Sequence, residues 1–192
     1  MTKNLLNTFN FMASYEKLET PIVGLEILLN KVVSDERGHF LDLAETDNPS
    51  MASGYTKHLH ASIATTKHIA RAEHYHHKIK ESFYTLAGTA LWIFSDFNKN
   101  SPTYGKTYAA IAGNGKAKPE TSLPTFYLDE GKFPQFKIDI EIYHAFWPLT
   151  DEPAIIMATG TDGYDPDDYE RPTIDKIPGA RKILEEHGIN TH

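Results

Sequence analysis

The sequence predicts an all-β fold, an antiparallel sandwich or barrel. Short apolar or alternating runs recur roughly every dozen residues through the middle of the chain, a spacing of sandwiches and barrels and not of βαβ units. Turn-forming clusters such as "FNKNSPTYGK", "AGNGKAKPE" and "TDEP" separate these runs. With 192 residues, 40% of them hydrophobic and 11% aromatic, the chain suits one domain with a real core.

Taken in order, residues 1–20 are mixed in pattern and compatible with helix. "IVGLEILLNKVV" (22–33) reads as a strand or short helix, while "HFLDLAE" (39–45) and "KHLHASIA" (57–64) alternate as half-buried strands do. "HYH", "SFYTLAG", "TALWIFSDF", "TFYLDEG", "FKIDIEIYHAFWPL" and "PAIIMATG" continue the series. The barrel core is expected over about 22–160, with a C-terminal extension over 161–192. Within that extension "DGYDPDDYERPTIDKIPG" (162–179) is polar and rich in turn formers, and "ARKILEEHG" (180–188) is a short helix closed by glycine.

Composition excludes several functions. The net charge is −7 and no basic stripe exists, which argues against nucleic acid, because phosphate neutralisation needs clustered Lys and Arg. There is no cysteine, so any transition metal must use imidazole and carboxylate. No window approaches the ~18 apolar residues of a membrane span. "MTKNLLNTFNFMASYEKLE" has no uninterrupted apolar stretch and does not read as a secretory signal. The expectation is a soluble, cytoplasmic protein.

The candidate site is "RAEHYHHKIKESFYTLAGTAL", residues 71–91. On a strand His74 and His76 point the same way, about 7 Å apart at their bases, and converge on one ion. Glu81 follows across a tight turn and Gly88 closes the next run, while His144 arrives from a later strand. Three imidazoles and one carboxylate suit one divalent transition metal (Zn, Mn, Fe or Ni) and leave open positions for substrate. His77 and Lys80 fall between ligand positions and are expected to face solvent or a neighbouring subunit. Phe83, Trp92, Phe94, Phe146 and Trp147 read as core.

The string H-x-H, four residues, E, six residues, G, with its downstream histidine, resembles the two metal motifs of the cupin superfamily. That resemblance implies a jelly-roll barrel with peripheral N- and C-terminal segments. The match has two departures: His68 stands where a glycine is expected, and Asp139, Ile140 and Glu141 replace the Pro-x-Gly before the last histidine. "RGHFLDL" (37–43), "ARAEHYH" (70–76) and "NKNSPTYGK" (98–106) resemble dTDP-4-dehydrorhamnose 3,5-epimerases. "EHYHHKIKESFYTLAGTA" and "YHAFWPLTDEPAIIMATGTDGYDPDDYERP" resemble the metal-binding cupin domain of capsular-polysaccharide UDP-sugar reductases.

The epimerase resemblance implies a fold and a sugar or nucleotide-sugar substrate. It aligns His74 with that family's catalytic base and Arg71 with its phosphate-binding arginine. It also puts Glu81 at the family's lysine and Ala158 at its catalytic tyrosine, with no clear aspartate near Ile177, so the family's own mechanism is not carried over. A metal offers a substitute, because a divalent cation stabilises charge built on a carbonyl oxygen when a neighbouring proton is removed. The expected activity is therefore a metal-dependent isomerase or epimerase of a keto or nucleotide sugar. An imidazole base suits a working pH near neutral. Of His58, His60 and His68 we select His60 as base, Tyr143 as its catalytic companion, and Arg71 and Tyr84 as substrate-binding groups. An Fe(II) dioxygenase and a non-catalytic sugar- or acid-binding module are the alternatives. Exposed edge strands of a small barrel also suggest a homodimer.

Overall fold

A computed structural model describes residues 15–41, 43 and 57–190. Its strands are β1 (Glu16–Leu18), β2 (Leu25–Asn30), β3 (Val32–Asp35), β4 (Gly38–Leu41), β5 (His58–Ala64), β6 (Arg71–His76), β7 (Glu81–Ala87), β8 (Thr89–Asp96), β9 (Thr107–Gly113), β10 (Thr125–Tyr127), β11 (Phe133–Ile138), β12 (Ile142–Pro148), β13 (Ala154–Gly160) and β14 (Tyr169–Glu170). A helix, α1 (Ala180–Glu186), follows. One six-stranded sheet runs β1-β2-β11-β7-β13-β5 and the other β10-β9-β8-β12-β6-β14, with β3-β4 a separate hairpin. The fold is all-β, as expected. Among the described residues no helix is long and apolar enough to cross a membrane.

The two sheets close on Phe83, Trp92, Phe94, Phe136 and Phe146, all buried. A second apolar layer lies on the outer face of the second sheet, where Leu91, Ile93, Tyr143 and Trp147 pack with Ile177, Ala180, Leu184 and Ile189. The C-terminal extension is thus a cover for that sheet. Its helix ends as "HG" predicts: Gly188 takes a positive φ and Ile189 N–H returns to the Leu184 carbonyl.

Four readings of the sequence are corrected. Helix over residues 1–20 is overturned at Glu16–Leu18, a strand paired with β2, while residues 1–14 lie outside the described residues. "FKIDIEIYHAFWPL" is two strands in different sheets, broken at Asp139–Glu141 where Glu141 has φ +60°. "TYAAIAG", passed over between two turn clusters, is β9, and its alanines pack under the opposite strands because small residues fit a crowded core. "HFLDLAE" supplies only β4 of the exposed hairpin; residues 42, 44 and 45 lie outside the described residues.

Gly88 earns its motif position by geometry. Its φ is +69°, and a Cβ there would meet the Pro153 carbonyl oxygen at 2.6 Å and Ala154 Cα at 2.9 Å. Backbone cannot swing aside as a side chain does, so Gly88→Ala should cost about 2–4 kcal/mol. The thermal midpoint should fall by about 5 °C or more. A midpoint within a degree of the parent protein would show that the β7–β8 turn yields.

Candidate metal centre

β6 is an irregular strand, and its irregularity builds the site. Against β12, His74 pairs with His144 and Ala72 with Ala145, which leaves Glu73 without an opposite residue. Ala72 and Glu73 both have positive φ, +69° and +56°. Non-glycine residues held there cost on the order of 1–3 kcal/mol each, and bulges commonly re-aim side chains beside functional sites. The bulge changes the parity of the strand. Arg71 and His74, three residues apart, would face opposite ways on a regular strand, yet both line one pocket. The same turn of backbone points the Ala72 carbonyl at His74.

His74, His76, Glu81 and His144 come together as the spacing implied, each with one ligand atom within 4.8 Å of all the others. His76 sits at the end of β6 in one sheet and Glu81 at the start of β7 in the other, so the four-residue turn between them crosses the sandwich. His74 Nε2 and His76 Nε2 are 3.1 Å apart, and Glu81 Oε2 lies 3.2 Å from Nε2 of both His76 and His144. His74 Nδ1 is 2.8 Å from the Ala72 carbonyl and His144 Nδ1 is 3.2 Å from the Ile142 carbonyl. A carbonyl only accepts, so in both rings the proton sits on Nδ1 and Nε2 presents a lone pair.

Burial and charge sharpen this arrangement. His76, Glu81 and His144 are buried and His74 is half-buried. Burial, followed by the neighbouring imidazole of His144, pushes His74 down to about 2, so it is neutral at any physiological pH. Glu81 Oε2 has no aligned hydrogen-bond donor among the described residues. Lone pairs converging at these distances repel unless a cation sits among them. Ligand atoms about 2.1 Å from one centre stand about 3 Å apart at right angles, which the observed separations match. The donor set fits a divalent ion.

The cluster opens into a pocket of about 410 Å³ with Phe83, Trp92 and Phe146 on its inner wall. His60 lines it from β5, with a buried Nδ1 that has no hydrogen-bond partner among the described residues. Burial lowers the His60 pKa, with Glu81 opposing. Arg71 lines the pocket too, and its Nε donates to Ser62 Oγ at 2.6 Å.

Tyr143 and Tyr84 are not at the site, contrary to the sequence reading. Tyr143 is next to His144 on β12 and therefore faces the other way, into the layer beneath α1. Tyr84 is on the outer face of β7, where it stacks on Phe133 and donates to the Leu43 carbonyl at 3.2 Å. Lys80 pairs with Asp139 and His77 is exposed, both outside the cluster as expected. Trp147 lies on the outer face, while Phe83, Trp92, Phe94 and Phe146 are core.

Three contributors were missed, all from 162–179. Tyr169 packs on His74 and His76 with ring centroids 4.7 and 4.5 Å away. Arg171 Nη1 donates to the Ala72 carbonyl at 2.8 Å and reaches within 3.4 Å of His74 Nδ1. Asp168 is buried behind His76. The segment "DPDDYERP" carries these groups without any periodicity to mark them.

No family model and no curated protein matches the chain in sequence. Solved structures do match in shape. The dTDP-6-deoxy-D-glucose-3,5-epimerase of Legionella pneumophila, in complex with dTDP-4-keto-L-rhamnose, is 22% identical with a TM-score of 0.68, over 85% of this chain and 81% of that one. The chain has the cupin jelly-roll fold. NovW, a 4-keto-6-deoxy sugar epimerase from Streptomyces spheroides, is 17% identical, TM-score 0.67, over 86% and 78% of the two chains. A dTDP-4-dehydrorhamnose 3,5-epimerase from Sulfolobus tokodaii is 22% identical, TM-score 0.65, over 85% and 84%. Glu81 and Ala158, where the resemblance expects lysine and tyrosine, both line the pocket of this chain.

Proposed function

We propose that the protein is a metal-dependent isomerase or epimerase acting on a keto sugar or nucleotide sugar. The observation that carries this reading is the four-ligand cluster at the base of a pocket that also holds His60. The likeness to sugar-nucleotide epimerases supports the substrate class. His74, His76, Glu81 and His144 would hold one divalent ion, Zn, Mn, Fe or Ni. Bound there, the ion would supply positive charge at a substrate carbonyl oxygen, worth several kcal/mol as negative charge develops.

The remaining work falls to the chain's own residues. His60, lowered by burial, is neutral at neutral pH and so able to take the proton beside the carbonyl of a substrate in the pocket it lines. Phe83, Trp92 and Phe146 exclude water from that transfer. Arg71 and Arg171, both lining the pocket, offer N–H groups to an anionic part of the substrate, which an acidic protein needs locally. Tyr164 and Tyr169, with centroids 5.6 Å apart, give the mouth an aromatic face. Solvent deuterium appearing beside the carbonyl of a 4-keto sugar nucleotide, and its loss on chelation, tests the reading.

A homodimer belongs to the same proposal. β5 is the edge of its sheet, and its Leu59 and Ile63 are 66% and 54% exposed. An apolar edge of this kind invites a second copy. Light scattering at micromolar concentration should give about twice the 21.7 kDa chain mass. A clean monomer would exclude it.

A further inference from the structure

We infer that Asp168 is the positioning residue of the metal centre, fixing His76 in the tautomer that ligates. The inference rests on the metal reading above and adds to it a residue from outside the barrel. A buried carboxylate that meets no lysine or arginine among the described residues needs a reason, and Asp168 is 1% exposed. Its Oδ1 accepts from His77 N–H at 3.0 Å and its Oδ2 from Ile79 N–H at 3.3 Å. It therefore holds two backbone N–H groups of the turn that runs from His76 to Glu81.

The same Oδ2 lies 3.3 Å from His76 Nδ1. That nitrogen is buried without an aligned hydrogen bond among the described residues, and Asp168 is the acceptor beside it. The other two rings have their Nδ1 protons held by backbone carbonyls, Ala72 for His74 and Ile142 for His144. Among the described residues His76 has no carbonyl in that role. Its Nε2 can offer a lone pair at the cluster only if its proton stays on Nδ1, and a small rotation of the ring brings that proton onto the Asp168 carboxylate. Carboxylates behind ligating imidazoles set the tautomer and raise ligand basicity.

The residues around Asp168 make this a built contact. The preceding Pro166–Asp168 turn is capped by Asp165, whose side chain accepts from Asp167 N–H at 3.0 Å. Directly after it, Tyr169 pairs with His76 across β14–β6 and covers the rings of His74 and His76. Asp168 is thereby fixed on both sides before it meets the imidazole.

The test uses the full chain with ¹⁵N-labelled histidine. Long-range ¹H–¹⁵N spectra read the ring tautomers of the metal-free protein, and competition titration with Zn(II) reads affinity. The parent protein should show His76 with its proton on Nδ1. In Asp168→Ala that proton should redistribute to Nε2, and zinc affinity should fall about 10–100-fold. Asp168→Asn keeps the shape and an acceptor for the turn but loses the charge. It should lose about tenfold in affinity, and it decides the matter if the alanine variant does not fold. Asp165→Ala loosens the same segment without touching the ring and should bind zinc as the parent does. An unchanged His76 tautomer with affinity within threefold of the parent, in whichever Asp168 variant folds, overturns the inference. Equal losses in Asp165→Ala would reduce Asp168 to a structural tie. If the parent protein itself takes up no zinc, the metal reading fails, while the tautomer spectra still decide whether Asp168 holds His76.

Discussion

His76→Ala should remove most of the metal from a protein that otherwise carries about one divalent ion per chain. His76 is central to the cluster, 3.1 Å from one ligand atom and 3.2 Å from another, and only 2% exposed. Alanine leaves a buried gap that a water fills poorly, and the three remaining donors close only part of a coordination sphere. The affinity loss should exceed the roughly hundredfold upper range for removing an outer partner. Elemental analysis after dialysis reads the stoichiometry directly. A second reading is thermal, because an ion that binds only the folded chain at a hundred times its Kd stabilises by about 2.7 kcal/mol. Chelation should therefore lower the midpoint of the parent protein by about 5–10 °C and leave His76→Ala nearly unmoved. Unchanged metal content in the variant would end the assignment of the four ligands.

Three of the four ligands were legible because they depend on short-range geometry, while His144, which joins them by the pairing of β12 with β6, was placed through the resemblance to the cupin motifs. Period two puts His74 and His76 on one face, and a four-residue turn carries Glu81 across to the facing sheet. What was not legible depends on backbone and on long-range pairing. Nothing in "RAE" announces a bulge, since Ala72 and Glu73 are not residues that favour positive φ, so Arg71 could be placed at the site only through resemblance. β9 was hidden by its alanines, poor strand formers that succeed here because sheet packing overrides local preference. Tyr143 was chosen for adjacency to His144, which on a strand guarantees the opposite face. Asp168, Tyr169 and Arg171 reach the site by the pairing of β14 with β6, 93 residues from Tyr169 to its partner His76. Pattern within a segment does not encode a contact of that range.

The chemistry yields the other large effect. In deuterated buffer the protein should place deuterium at the carbon beside the carbonyl of a 4-keto sugar nucleotide, with or without net conversion. His60→Ala should slow that exchange by about a hundredfold or more, because a positioned general base contributes on that scale. The pH profile carries the sign of the environment. A base acts in its deprotonated form, so the rate rises with pH and levels off above the His60 pKa. Burial lowers that pKa from the ordinary 6.5, since the low-dielectric wall disfavours the imidazolium. The midpoint of the rise should therefore lie below pH 6.5. A variant that opens the pocket to water, Phe83→Ala, should move the rise back toward 6.5 as hydration of the charged form returns. Exchange that continues after chelation would take the metal out of the mechanism and leave the histidine alone responsible. Oxygen uptake with another substrate, and no exchange into any keto sugar, would make the same four ligands an Fe(II) dioxygenase centre, in which His60→Ala has no reason to slow turnover at all.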